Sequence, residues 1–270
     1  MIYLMNQNEN RQQEGVTPTS CIPGVEMKQV QSQYGQYLQI SSETPLRTLN
    51  SSPWGGGFGS HRVLMNRQVD KTYNETDPAV EMAAFIAREG LNPQETAGML
   101  TAAWVKDVGY HELSWPPEDA DADEQHVMTE AIEVLDQLRV AAWVTVGLGN
   151  KARAGASLPA SSLYPGTINI IVVIEGDLTD AAMVNAVITA TEAKVAALQA
   201  LNITVHGQTA TGTTTDAVLI AATGSGKTYR YAGTATTLGY LIGRTVYEAI
   251  LTSGHFYEDE MKKRAALLQG

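Results

Sequence analysis

Thr209-Ala210-Thr211-Gly212-Thr213-Thr214-Thr215-Asp216-Ala217-Val218 sets five hydroxyls, a glycine and a carboxylate in front of an apolar run that continues to Ala222. Hydroxyls at that density are costly to bury unless each finds a partner. An acid at the mouth of a strand, on a loop held by a scaffold, is a common place for chemistry. A carboxylate there can accept a proton, and the neighbouring hydroxyls can orient or attack a polar substrate.

Four further segments carry groups of the same kind. Ser51-Ser52-Pro53-Trp54-Gly55-Gly56-Gly57-Phe58 is a glycine-rich corner. It reads either as a flexible bend or as backbone open to close approach by a ligand, with Trp54 and Phe58 as an apolar wall. Val144 to Asn150 ends a strand in glycines and a carboxamide, and Asn150 can hold a substrate carbonyl or cap Ala152–Ala156. Glu192 lies one helical turn from Ile188 and Ala196, so its carboxylate is either satisfied by a partner or poised with a raised pKa; the plainer alternative is a side chain that reaches solvent or pairs across to another helix. His61 is a fallback base. No histidines pair at i, i+4, no Gly-x-Ser-x-Gly elbow occurs, and nothing in the sequence requires a metal.

Ala221-Ala222-Thr223-Gly224-Ser225-Gly226-Lys227-Thr228 fits a relaxed phosphate-loop pattern. That mechanism needs a helix starting at the Lys-Thr, and Tyr229-Arg230-Tyr231-Ala232-Gly233 reads as extended. A β-hairpin turn at Gly224–Gly226, joining Val218–Ala222 to Tyr229–Tyr231, is the plainer expectation.

These groups must be positioned by a mixture of strands and helices. Residues 1–34, rich in Gln, Asn and Glu, read as a poorly structured or peripheral extension. Strands are expected at Gln36–Ser41, Pro45–Ser51 and His61–Asn66. Helices are expected from Pro78 to Glu89, from the Asn92 cap to about Ala103, and from Glu124 to Arg139. Val140–Gly147 reads as a buried strand, and the β-branched run in Thr167–Glu175 as a strand covered on both faces. Thr179 caps an alanine-rich helix through Leu201, and Asp216–Ala222 gives another strand. Thr236–Thr252 is a helix stopped by Gly254, followed by a short charged helix from Phe256 to Gln269. The whole reads as α+β: a single domain, 35–254, with a mixed β-sheet layered with helices, and a C-terminal helix in 255–270.

Composition narrows the partners. A net charge of −11 argues against nucleic acid, which needs a basic face. No apolar run approaches the ~18 residues of a membrane span. Met1 to Asn10 lacks a leader pattern, and the single cysteine, Cys21, excludes an internal disulfide and suits a reducing, cytoplasmic setting.

Four ordered segments resemble one family. They are Asn50-Ser51-Ser52 with Gly55–Gly57; Thr145–Asn150 with Arg153-Ala154-Gly155; Gly166–Ile170 followed by Thr189–Lys194; and Thr211–Val218 followed by Tyr231–Thr234. In that order and spacing, over about residues 45 to 252, the chain resembles the adenosylcobinamide amidohydrolases. The resemblance implies hydrolysis of the amide joining a corrin propionyl arm to aminopropanol, giving adenosylcobyric acid and 1-amino-2-propanol in corrinoid (vitamin B12) salvage. It implies a small-molecule corrinoid substrate, no required cofactor, no nucleic-acid or membrane partner, and allows a homo-oligomer. Amide hydrolysis needs a base or nucleophile, an oxyanion donor and an acid for the leaving amine. On chemical grounds Asp216 and Glu192 are candidates for base and acid, with Asn150 and backbone near Gly55–Gly57 for the oxyanion. Ser51, Ser52, Trp54, Gly55, Gly56, Gly57, Thr213, Thr214 and Thr215 are candidates for substrate binding, and one of the threonines could instead be a nucleophile. Trp54, Phe58, Tyr229 and Tyr231 are expected to line the corrin cleft. A non-catalytic corrinoid carrier and a phosphate-loop nucleotide enzyme are the competing readings.

Overall fold

A computed structural model describes residues 20–116, 137–156 and 166–267. Eight strands form one large mixed sheet: β1 Val25–Ser32, β2 Gly35–Asn50, β3 Gly57–Gln68, β4 Thr96–Thr101, β5 Gly109–Trp115, β6 Leu138–Val146, β7 Ile168–Ile174 and β8 Ala217–Ala222. Their order is β4-β3-β2-β8-β7-β6-β5, with β1 paired to β2. Among the described residues three α-helices accompany them: α1 Pro78–Arg88, α2 Asp180–Ala200 and α3 Thr237–Leu267. The expected α+β domain, a mixed sheet layered with helices, is the fold observed.

The strand β2 is long enough to serve two neighbours on one edge. Its first half pairs with β1 and its second half with β8, while β3 runs along the other edge. The register shift between Ser41 and Leu46 is the reason the sequence reads as two strands. The bulged residues interrupt the alternation and bend the ribbon. That bend matters, because the two halves of the sheet then face each other. Leu38, Ile40, Leu46, Leu64 and Met99 from one half share a core with Ala141, Trp143, Ile171, Val173 and Leu219 from the other. Asn66 on β3 donates to Thr145 Oγ1 on β6 at 2.9 Å, although four positions separate those strands in the sheet order.

The opposite face of β5–β8 carries α2 and α3. Ile170, Val172, Ile174, Val218 and Ile220 pack there against Ala182, Ala186, Ala190, Leu241 and Val246. β7 and β8 are parallel, and α2 is part of the crossover that such a pair requires. Burial on both faces explains the near-continuous β-branched run of β7. By length and composition α2 could cross a membrane, but half of its apolar window is buried against the sheet and α3. On the far side of the first half, α1 covers Tyr37 and Met65 with Met82, Phe85 and Ile86.

Several local expectations are corrected by tertiary pairing. Part of the N-terminal extension is strand β1, whose Val25 and Met27 enter the core; residues 1–19 lie outside the described residues. The Asn92 cap forms as read, but it opens a single 3₁₀ turn, Pro93–Glu95, and the chain then runs as β4 beside β3. Most of the expected helix Glu124–Arg139 lies outside the described residues, and Arg139 belongs to β6. β5 was not expected. The two C-terminal helices are one, because Gly254 is buried mid-helix where Leu201 packs, leaving no room for a Cβ.

Between the two halves lies a buried amide chain. Asn169 Nδ2 donates to Asn66 Oδ1 at 2.8 Å and to Leu100 O at 2.9 Å, and Asn66 passes the link to Thr145. Replacing Asn169 with alanine orphans a buried acceptor, Asn66 Oδ1, and a partly buried one, Leu100 O, each costing roughly 1–3 kcal/mol. Asn169→Ala is therefore expected to lose about 2–4 kcal/mol of stability, read from its urea unfolding midpoint against the parent.

Candidate active site

The segments singled out by sequence meet at one end of the sheet. This is the end carrying the last residues of β2 and β6 and the first residues of β7 and β8, since Ala217 faces Asn169 and Asn169 faces Thr145. The threonine segment is anchored there on three sides. Gly212 and Thr213 pair with Ala152 and Lys151, and Ala154 N donates to Thr211 Oγ1 at 2.8 Å. Thr215 Oγ1 donates to Gly166 O at 2.9 Å, and Thr167 Oγ1 donates back to Thr215 O at 2.7 Å. Val218 N donates to Ser51 Oγ at 2.9 Å, while Ser51 N donates to Val218 O at 3.0 Å.

Asp216 organises this turn. Its Oδ1 accepts from Ile168 N at 3.0 Å and from Thr213 N at 3.1 Å, and it also receives the Thr213 hydroxyl. Its Oδ2 pairs with Lys194 Nζ at 2.5 Å. The two side chains of this ion pair are only 9 % and 12 % exposed, so it is shielded from bulk water. Gly212 lies against it: a Cβ there would stand 2.2 Å from Asp216 Oδ2 and 2.9 Å from Lys194 Nζ.

This geometry revises two roles. A carboxylate offers about four lone-pair sites, and those of Asp216 are engaged by two backbone N–H groups, a hydroxyl and an ammonium. In this arrangement its lone pairs leave no site open to a water while the Thr213 hydroxyl is in place. Glu192 is not its partner. Glu192 is exposed on α2 and makes no hydrogen bond or ion pair among the described residues. The buried stripe of α2 runs Ala182, Ala186, Ala190, Lys194 and Ala197/Leu198, and Glu192 falls outside it. Lys194, the partner of Asp216, is the residue of this cluster that sequence reasoning missed. Its signal was available: a lysine in step, at spacings of four, with three alanines of the apolar stripe.

The other candidates divide. Asn150 is buried at the site and its Nδ2 donates to Thr214 Oγ1 at 2.6 Å, while its Oδ1 is buried with no partner among the described residues. It supports the threonine turn, leaving one amide hydrogen uncommitted. Ser52, Trp54, Gly55 and Gly56 form a braced corner. Ser52 Oγ donates to Gly98 O at 2.6 Å and Trp54 Nε1 to Thr96 O at 2.9 Å. Gly55 and Gly57 take positive φ, and a Cβ on Gly56 would meet Ser52 O at 2.5 Å.

His61 sits beneath that corner. Its Nδ1 lies 2.7 Å from Thr48 Oγ1, its Nε2 lies against Gly55, and no contact joins it to the threonine turn among the described residues. Tyr229 and Tyr231 are at the opposite end of the sheet. They line a cavity of about 270 Å³ with Trp115, Lys227, Arg230 and Leu238, roughly 20 Å from Asp216 along the length of β8. They do not share a wall with Trp54. Lys227 and Thr228 lead into a two-residue strand, Thr228–Tyr229, paired with Asp177–Leu178, and the next helix begins only at Thr237. The phosphate-loop reading fails for that reason. The Gly224–Gly226 turn exists, with positive φ at both glycines, but its partner is Asp177–Leu178 and not β8.

A family model described as adenosylcobinamide amidohydrolase matches residues 20–115 and 119–262. The chain belongs to the adenosylcobinamide amidohydrolase family. An adenosylcobinamide amidohydrolase from Methanosarcina mazei is 30 % identical over 211 residues, covering 74 % of this chain and 86 % of that protein. One from Halobacterium salinarum is 39 % identical over 122 residues, covering 42 % and 49 %. An uncharacterized protein from Methanocaldococcus jannaschii is 43 % identical over 89 residues, 32 % of this chain and 34 % of that one. The chain thus spans most of the first relative and half or less of the other two. Family members are amide hydrolases, and the match contains every segment that converges on Asp216.

Two outcomes test these placements. Asp216→Asn strands the Lys194 ammonium in a shielded position and is expected to cost about 3–5 kcal/mol, measured by chemical denaturation. Burial holds the His61 imidazole below its ordinary value of 6.5. The unfolded chain therefore binds this proton first, so the stability tied to neutral His61 is present above the unfolded pKa and is lost as pH falls through the folded one. Melting temperatures scanned from about pH 8 to about pH 5 should decline more steeply in the parent than in His61→Gln; parallel curves would refute the assignment.

Proposed function

We propose that this protein hydrolyses the aminopropanol amide of adenosylcobinamide, giving adenosylcobyric acid and 1-amino-2-propanol in corrinoid salvage. The observation that carries the reading is that the segments of the family match, distant in sequence, are hydrogen-bonded into one hydroxyl- and amide-lined turn around Asp216. The charge of Asp216 in that turn is balanced by Lys194. The reading takes the corrinoid as the substrate. Ser51, Thr214 and Thr215 supply hydroxyls that can meet the amide arms of a corrin, since Ser51, Thr214 and Thr215 are all exposed. A single cysteine and the negative charge suit a cytoplasmic enzyme.

Incubation with adenosylcobinamide, followed by mass spectrometry, should show adenosylcobyric acid and one equivalent of aminopropanol. Tight corrinoid binding without aminopropanol release would instead indicate a carrier. Lys227→Ala should leave the rate unchanged within about twofold, because Lys227 is exposed and far from the threonine turn. Loss of turnover in that variant would count against placing the chemistry at Asp216.

A further inference from the structure

Asp216 is closed to water while the Thr213 hydroxyl is in place, but not to Thr213 itself. Of the four donors around its carboxylate, Ile168 N and Thr213 N are backbone amides that do not give up their protons. Lys194 Nζ is the counter-ion that makes burial of the carboxylate tolerable. The fourth donor is the Thr213 hydroxyl, already hydrogen-bonded to Oδ1. It is the one proton in the cluster whose transfer to Asp216 would leave a nucleophile behind.

The surroundings suit that transfer. Thr213 is half-buried between a shielded ion pair and the exposed Thr214 and Thr215. Its backbone is fixed by pairing with Lys151 and its N–H by Asp216, so the hydroxyl has a defined direction. The next two backbone N–H groups, those of Thr214 and Thr215, have no hydrogen-bond partner among the described residues. Donors directly after a nucleophile are well placed to receive the oxyanion of a tetrahedral intermediate.

We infer that Thr213 is the nucleophile of the proposed amidohydrolase, with Asp216 as its proton acceptor and Lys194 as the positioning residue that holds Asp216. The inference rests on the function proposed above. Thr213 Oγ attacks the amide carbonyl carbon as its proton passes to Asp216 Oδ1. The C–N bond then breaks, and the proton held by Asp216 goes to the leaving nitrogen, releasing aminopropanol and leaving a cobyryl ester on Thr213. With Thr213 Oγ acylated, the site on Asp216 Oδ1 that its hydroxyl occupied is open: water attacks the ester, its proton passes to that site and on to Thr213 Oγ, and the acid departs. Atoms and charge balance without any co-reactant besides water. Lys194 stays protonated throughout.

The test separates nucleophile from substrate. A fluorescent β-lactone, which acylates activated hydroxyls, should label the wild type on the peptide carrying Thr213. Labelling should vanish in Thr213→Ala and fall at least about tenfold in Lys194→Met. With adenosylcobinamide, Thr213→Ala should lose about 10³-fold or more in turnover, while Thr213→Ser should stay within about tenfold of wild type. Hydroxylamine added during wild-type turnover should divert product to the cobyryl hydroxamate, a readout that needs no variant. Turnover in hydroxylamine without hydroxamate, or lactone labelling that persists in Thr213→Ala, would overturn the inference. Lactone labelling of Thr213 without aminopropanol release would leave the nucleophile standing and refute the substrate.

Discussion

The shielded Lys194–Asp216 ion pair is the constraint around which one end of this molecule is built. Removing two charges from water costs several kcal/mol per ion, and one contact between them does not restore that by itself. Here the carboxylate also receives two backbone N–H groups and a hydroxyl, so its remaining lone pairs are satisfied. With Lys194, those donors come from three pieces of local structure: Ile168 at the start of β7, Thr213 in the threonine turn, and Lys194 on the inner face of α2. The pair therefore fixes the turn relative to the sheet and to the helix at once. Gly212 is what makes this possible, because any side chain there would occupy the space of the carboxylate.

The position of the site was legible in the sequence, but its chemistry was only half legible. A threonine-rich run ending in an acid before an apolar strand is a local pattern, and it folded where that pattern indicated. The partner of the acid was a question of helix phase. Glu192 is the chemically tempting residue of its segment, yet it points outward, whereas Lys194 falls on the stripe of Ala182, Ala186 and Ala190. Because α2 is apolar on nearly every side, the usual amphipathic contrast is missing and phase had to be read from the odd polar residue alone.

The misread elements share one cause. Thr96–Thr101 and Gly109–Trp115 have weak local preference, and each becomes a strand because a neighbouring edge, β3 or β6, satisfies its backbone. β1 carries a two-residue alternation at Val25 and Met27, diluted by glutamines, and it forms against the first half of β2. Gly254 carries a stop signal that the local chain would obey. It is overruled because the absence of a side chain there lets Leu201 pack against the helix. In each case the sequence states a local preference and a long-range contact decides.

The two ends of the sheet present different surfaces, and this bears on what a hydrolase of the proposed kind requires. The far end holds a walled cavity of aromatic and cationic side chains about 270 Å³ in volume. The threonine end offers an exposed turn above a dry ion pair. An amide carried on a flexible arm of a large, rigid ring does not need its whole body enclosed. It needs a reactive hydroxyl that the arm can reach, and a proton acceptor shielded from bulk solvent. Thr213 stands at the boundary between those two conditions, with Thr214 and Thr215 on the wet side and Asp216 with Lys194 on the dry side. Moving the hydroxyl deeper would cut it off from the arm, and moving the carboxylate outward would surround it with water that competes for the proton. The turn is held at that boundary by backbone pairing and by Asn150, Thr167 and Gly212. On this argument the rigidity of the loop is a condition of the chemistry as much as of the fold.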